Sequence, residues 1–315
     1  MSAMIYSALR PADGAWDAAV SALLERIDTD GLVSPGATVA VKLDLTAKDV
    51  PPALVKAICG ALKDRGAAVF LTDCAPFDGS ALTSFDTVRA LGYTREAVGA
   101  DFVPGDGVKG TDYDLIPMRG GKFLRSTKVG RALSDADCIV TLSAVTCSEA
   151  DGYRGVLHAV GFGCGAHPGK VDMLTTGQPV VDADKCIGCG KCTGVCEHGG
   201  TRIDPETGKA FIFKLRCAGC SRCMRVCPVD AIHPDYNATD ERVRMKIAEV
   251  AKSMCDHRSC LHFALTPDAL LAAQDPTALD AGCADLIGAD AALRVSIDHA
   301  AGMKLGTADY TCARI

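Results

Sequence analysis

The stretch "TVAVKLDLTAKDVPPALVKAICGALKDRGAAVFLTD", residues 38–73, decides the fold class. Its opening, TVAVKL (38–43), is an apolar, β-branched run of strand length. PPALVKAICGALKDRG (51–66) then changes period. Proline stands at the start, Leu54, Ile58 and Leu62 recur in helical step, and Gly66 closes the segment. AAVFLTD (67–73) is a second apolar strand. Working outward, TSFDTVRALG (83–92) reads as a helix and ADCIVTLS (136–143) as a buried strand. Strands alternating with helices imply a three-layer α/β domain with a largely parallel sheet. Farther on, DERVRMKIAEVAKSM (240–254) is an amphipathic helix with Val243, Ile247, Val250 and Met254 on one face, a stripe that needs a core to pack on.

Between these regions lies a short internal repeat. CIGCGKCTGVC supplies Cys186, Cys189, Cys192 and Cys196, and CAGCSRCMRVCP supplies Cys217, Cys220, Cys223 and Cys227. Both read C-x2-C-x2-C-x3-C, the spacing that wraps three thiolates around a cubane and sends the fourth to the other cluster. By that swap Cys186, Cys189, Cys192 and Cys227 would hold one [4Fe–4S] cluster, and Cys217, Cys220, Cys223 and Cys196 the second. A pair of zinc knuckles is the competing reading; zinc sites favour paired C-x2-4-C units over four cysteines in one run. Proline follows the second run at Pro228, but Glu197 follows the first. Proline fixes φ and removes an N–H, and ligation needs neither, so we expect two clusters regardless. Glu197 and His198 read as solvated side chains.

The module is too small to bury the 240–254 stripe. We therefore expect residues 1–179 to form the first part of the α/β domain, 180–235 an inserted bacterial-type two-cluster ferredoxin module, and 236–315 the returning part of the domain.

The 315-residue chain is 48% hydrophobic and 23% charged, with a net charge of −6. Nothing there points to nucleic acid or to an anionic membrane. No apolar run is long enough to span a bilayer, and the first residues show no signal-peptide pattern, so we expect a cytoplasmic protein. Seventeen cysteines in a reducing compartment favour metal or thiol chemistry over disulfides.

Several stretches resemble the domain-of-unknown-function-362 family, in its iron–sulfur, ferredoxin-containing subgroup. VKLDL (41–45) is similar to that family's K-P-N-L stretch, and GVLHAVGFGCGAHPGK (155–170) to its G-x-x-K-N-L-G-M-G-C-x-x-x-x-G-K stretch. DALLAAQDPTALDAGCADLIG (268–288) matches its D-x-G-x-L-x-S-x-D-P-V-A-x-D-x-A-x-x-D-L signature, and MKLGTADY (303–310) its closing segment. The resemblance implies a fold akin to lactate-racemase-like domains, iron–sulfur clusters and redox work in anaerobes. It also implies a strand at 267–274, where propensity alone reads helix. The family's basic P-K-L-K-T-H segment is SAVTCS (143–148) here, its Lys-Asn pair is His158-Ala159, and its C-D-C loop is shortened away, leaving only MCDHRSC (254–260) nearby. Those departures suggest a ligand less anionic than the wider family's.

Ligands of open α/β sheets sit outside the carboxyl ends of strands. Lys42 and Asp73 end two strands, and the glycine-rich loop GFGCGAHPGK (161–170) carries Cys164, His167 and Lys170 toward the first cysteine run. Together with His158 these are the candidate substrate-binding residues. Cys59 and Cys283 fall on apolar helical faces and read as core thiols. Cys255, His257, Cys260 and His262 are potential metal ligands at no standard spacing. No G-x-G-x-x-G fingerprint or acid–base dyad is present, so no catalytic residue is assigned. Two functions compete. One is a redox enzyme whose two [4Fe–4S] clusters exchange electrons with a small-molecule substrate in the α/β cleft. The other is a non-catalytic carrier or assembly partner that docks to a redox partner protein.

Overall fold

A computed structural model describes residues 2–28, 31–46, 50–74, 84–148, 152–175, 179–217, 220, 222–234, 239–290 and 294–315. Its centre is an eight-stranded sheet. The strands lie in the order Tyr310–Arg314, Ala3–Leu9, Ala269–Ala273, Ser259–Leu265, Cys138–Ala144, Thr38–Lys42, Ala68–Asp73, Asp101–Pro104. Ala269–Ala273 is antiparallel to both of its neighbours. All other pairings are parallel. The fold is therefore mixed α/β with a large, mostly parallel sheet.

The central strands are apolar on both faces because both faces are covered. Val39 and Val41 join one core and Ala40 the other. Helices Asp17–Ile27 and Pro52–Asp64 cover the first face. In Pro52–Asp64 the buried side chains Leu54, Val55, Ile58, Cys59 and Leu62 form the stripe seen in the sequence. Helices Val156–Gly161, Asp240–His257, Pro276–Leu286 and Val295–Gly302 cover the second face. Thr239 caps Asp240–His257 by accepting from the Arg242 N–H. Its Ile247, Val250 and Met254 are buried in that layer, each contributing about 1.5–3 kcal/mol.

Residues 267–274 settle between helix and strand as the strand Ala269–Ala273. Leu270 and Ala272 face one core, Leu271 and Ala273 the other. Burial on both faces overrides the helical preference of alanine and leucine. The 268–288 and 155–170 stretches meet through one carboxylate. Asp280 is 1% exposed and accepts from the Tyr153 hydroxyl (2.6 Å) and from the Val156 (2.6 Å) and Leu157 (3.2 Å) N–H groups. It thus caps helix Val156–Gly161 from a neighbouring helix. Asp275 caps its own helix through Thr277 and Ala278 and also accepts from Thr307, so the 303–310 segment is tied to the same corner.

Among the described residues none between 145 and 258 adds a strand to the central sheet. The cysteine runs lie among small elements: two-stranded pairings of Val180–Val181 with Ile232–His233 and of Thr201–Ile203 with Ala210–Ile212, and the one-turn helices Lys191–Gly194 and Arg222–Arg225. Their apolar centre is separate, built from Cys186, Cys192, Cys223, Ala210, Ala231 and Ile232. No helix among the described residues is long and apolar enough to cross a membrane.

Candidate functional site

Parallel strands Thr38–Lys42 and Ala68–Asp73 are neighbours, so their carboxyl ends deliver Lys42 and Asp73 side by side. The Lys42 Nζ lies 2.8 Å from the Asp73 carboxylate, with the side chains 2% and 7% exposed. The Leu45 N–H donates to the other Asp73 oxygen at 2.8 Å. Burial alone would lower the Lys42 pKa; Asp73, Cys164 and Asp44 outweigh it and hold the ammonium above its ordinary value. Burial raises the Asp73 pKa, against the pull of Lys42 and Lys170.

This ion pair forms part of the wall of a cavity of about 450 Å³ that is also lined by Asp44, Arg154, His158 and Lys170. Lys170 donates to the Cys74 carbonyl at 3.2 Å and lies 5.5 Å from the Phe162 ring centre. His158 stacks on the same ring at 5.1 Å. Gly163 makes the approach of Lys42 feasible: a Cβ there would sit 2.3 Å from the Lys42 Nζ and 2.4 Å from the Ala159 carbonyl.

Of the candidates, Lys42, Asp73, His158 and Lys170 come together around this cavity, whereas Cys164 and His167 are not among its lining residues. Cys164 is fully buried behind it, and burial pushes its thiol up to about 12, so it stays protonated. His167 is the first residue of helix His167–Leu174; its N–H donates to Asp106 at 3.0 Å, and its ring feels Arg225 of the cysteine region. Lys170 and Leu174, four residues apart on this helix, line the cavity, whereas His167 lies at its first turn and Cys164 precedes it. Asp44, Arg154 and Phe162 were not singled out in the sequence. They adjoin chosen residues, but no local pattern marks them.

His158 carries a pH consequence. Burial, and then Arg154, lower its pKa to about 3. The unfolded chain takes up a proton near pH 6.5 that the folded chain refuses, so stability is lost as pH falls below that value. At pH 5.5 the loss is about 1.4 kcal/mol for this residue. His158→Gln should flatten that part of the decline in urea midpoint between pH 7.5 and 5.5. An unchanged decline would show that His158 is not the group responsible.

Beyond the cleft, Cys186, Cys189, Cys192 and Cys227 line a single pocket with Ile187, Ile203, Ala210, Val229, Ala231 and Ile232. Three come from the first run and one from the second. The other four cysteines are also neighbours: burial pushes the Cys223 thiol up to about 12, and Cys217, Cys220 and Cys196 add to the effect. Backbone N–H groups point at the sulfurs, from Ala210 to Cys186 (3.3 Å), Gly200 to Cys196 (3.1 Å) and Ala231 to Cys227 (3.2 Å). Gly188 takes a φ of 68°, and a Cβ there would lie 2.4 Å from the Gly208 carbonyl. Glu197 is exposed as read, but it pairs with Arg222 of the second run. His198 is exposed, and Cys59 and Cys283 are buried core thiols.

The structure also draws together three of the four residues noted at 255–262. The ligand atoms of Cys255, Cys260 and His262 all lie within 4.8 Å of one another, the one such group of Cys, His, Asp or Glu among the described residues. His257, grouped with them by sequence, is exposed and stands outside it.

An α/β fold with a cleft at the carboxyl edge of its sheet and a cysteine-rich region beside it defines the class of protein. The chain belongs to the family described as Domain of unknown function (DUF362), which matches residues 39–285. The lactate racemase apoprotein of Thermoanaerobacterium thermosaccharolyticum is similar in fold, with a TM-score of 0.50 at 12% identity over 91% of this chain. A Thermotoga maritima protein gives a TM-score of 0.44 at 12% identity over 91% of this chain. The chain spans 57% and 58% of the lengths of those two proteins. No curated protein matches it.

Proposed function

We propose that the chain is an iron–sulfur redox enzyme. Residues 180–235 form an inserted ferredoxin-like module whose two [4Fe–4S] clusters exchange electrons with a small ligand in the cleft. The observation that carries this reading is the pocket shared by Cys186, Cys189, Cys192 and Cys227, a ligand set that only the swap between the two runs explains. The donors suit the group: four thiols per set, apolar walls, and backbone N–H groups aimed at sulfur. A single tetrahedral zinc would draw thiolates to roughly 3.8 Å apart. Among the described residues, none of these eight cysteines belongs to a ligand group within 4.8 Å. When bound, the clusters would supply one-electron transfer at low potential.

The chain's own residues would bind and orient the ligand. Lys42, Arg154 and Lys170 offer positive charge, and Asp44 and Asp73 partly balance it. That mixture suits a small carboxylic acid better than a polyphosphate, in keeping with the loss of the basic segment at 143–148. The fold neighbour being a lactate racemase supports testing hydroxy acids first. His158, neutral near pH 7, is a hydrogen-bonding group there and not a charge. Helix His167–Leu174 joins the two regions, with His167 near Arg225 at one end and Leu174 at the cavity, roughly 10 Å along the axis.

The carrier reading has one observation in its favour. Ile187, Phe211 and Leu215 are exposed on the module, at 62%, 40% and 89%, a surface fit for a redox partner protein. The open cleft favours the enzyme, with that surface as its electron entry. The test is mass spectrometry of anaerobically purified protein, before and after Lys170→Ala. A small acid retained by the wild type and lost from the variant supports the enzyme. No retained molecule, together with cluster reduction by a partner ferredoxin, would leave the carrier reading.

A further inference from the structure

Cys255 lies in the last turn of helix Asp240–His257. Cys260 and His262 lie on strand Ser259–Leu265 and, two residues apart, point to the same face of the sheet. Only Arg258 separates helix from strand, so the chain reverses and the last helical turn is set over the first strand residues. Side chains five and seven residues apart thereby converge, although no sequence motif announces them.

His262 is fully buried. Its Nδ1 lies 2.8 Å from the Thr141 hydroxyl, on the strand paired with it in register. Its Nε2 meets no nitrogen or oxygen partner, and the ring lies within hydrogen-bonding reach of the Cys255 thiol. If Nδ1–H donates to Thr141, Nε2 carries a lone pair, and second-shell contacts of this kind orient metal-binding histidines. The two thiols within 4.8 Å supply the rest of a ligand set.

We propose that Cys255, Cys260 and His262 Nε2 bind one zinc(II) ion, at a site separate from the cleft and from the two cysteine runs. Tetrahedral zinc, with Zn–S near 2.3 Å and Zn–N near 2.1 Å, places ligand atoms roughly 3.5–3.8 Å apart. Ligand atoms that lie within 4.8 Å of one another need to contract by no more than about 1.3 Å. Two thiolates neutralise the ion, so the apolar layer around Met254 and Ala264 buries no net charge. Soft sulfur donors select zinc over magnesium or calcium. The fourth position remains for water. The ion would pin the end of helix Asp240–His257 to the sheet.

The proposal is tested on anaerobically reconstituted full-length protein titrated with zinc(II) against a chromophoric chelator, with iron and sulfide counted in parallel. The wild type should take up about one zinc per chain with its iron unchanged, and cobalt(II) should give thiolate charge-transfer and tetrahedral d–d bands. Cys255→Ser with Cys260→Ser should abolish uptake while iron is retained. Thr141→Val, close in shape and outside the ligand set, should weaken zinc about 10–100-fold, which keeps the proposal testable if the cysteine variant misfolds. Three results would overturn it: no uptake by the wild type, equal uptake by the cysteine variant, or uptake that displaces iron, which would place zinc in the module. Because iron is counted separately, failure here is distinguishable from failure of the cluster assignment.

Discussion

Replacing Cys196 with alanine should remove about four of about eight irons per chain, and the irons lost should be those held by Cys217, Cys220 and Cys223 rather than by its own run. Cys196 is not among the residues lining the pocket of Cys186, Cys189, Cys192 and Cys227. Its sulfur accepts N–H groups from Gly200 and Thr201, and it acts on the Cys223 thiol with Cys217 and Cys220. Cys227→Ala is the mirror experiment and should spare the second set. Iron and sulfide counts, with electron paramagnetic resonance of the reduced protein, separate the two spectra. Loss of the same cluster from both variants would refute the crossed arrangement. Glu197 should matter little to either count, since exposed pairs such as Glu197–Arg222 contribute about 1 kcal/mol or less.

Lys42→Met should destabilise the protein by about 3–5 kcal/mol in anaerobic urea unfolding, because it strands a buried carboxylate. Asp73 would keep the Leu45 N–H and the field of Lys170, which places the cost at the lower end of that range. Adding Asp73→Asn should restore part of the loss, since a neutral amide needs no counter-ion. Any acid bound in the cleft should be lost from both variants. A Lys42→Met protein within 1 kcal/mol of wild type would show that the pair is not held as a desolvated ion pair.

Much of this was legible locally. The helix read at 51–66 appears as Pro52–Asp64 and the strands at 38–43 and 67–73 as Thr38–Lys42 and Ala68–Asp73, because hydrophobic period and punctuation act within a few residues. The two cysteine runs were legible for the same reason, since C-x2-C-x2-C is a local spacing, and the structure brings Cys227 of the second run to the pocket of Cys186, Cys189 and Cys192. Other features depended on contacts distant in sequence. The first strand, Ala3–Leu9, and the last, Tyr310–Arg314, carry no periodic signal, yet they pair and extend the sheet. Residues 267–274 read as helix by composition and become the strand Ala269–Ala273 only because ordered neighbours wait on both sides. Cys164 and His167 share a loop with Lys170, but only Lys170, one turn into helix His167–Leu174, reaches the cavity wall, while His167 at the helix start meets Asp106. Cys255, Cys260 and His262 match no spacing rule, because a one-residue helix-to-strand reversal sets their distances. The sequence by itself determined the fold class and the two clustered cysteine runs, which are encoded in short-range spacing. Tertiary packing alone decided which buried charges face one another across the cleft and which side chains converge on a third site.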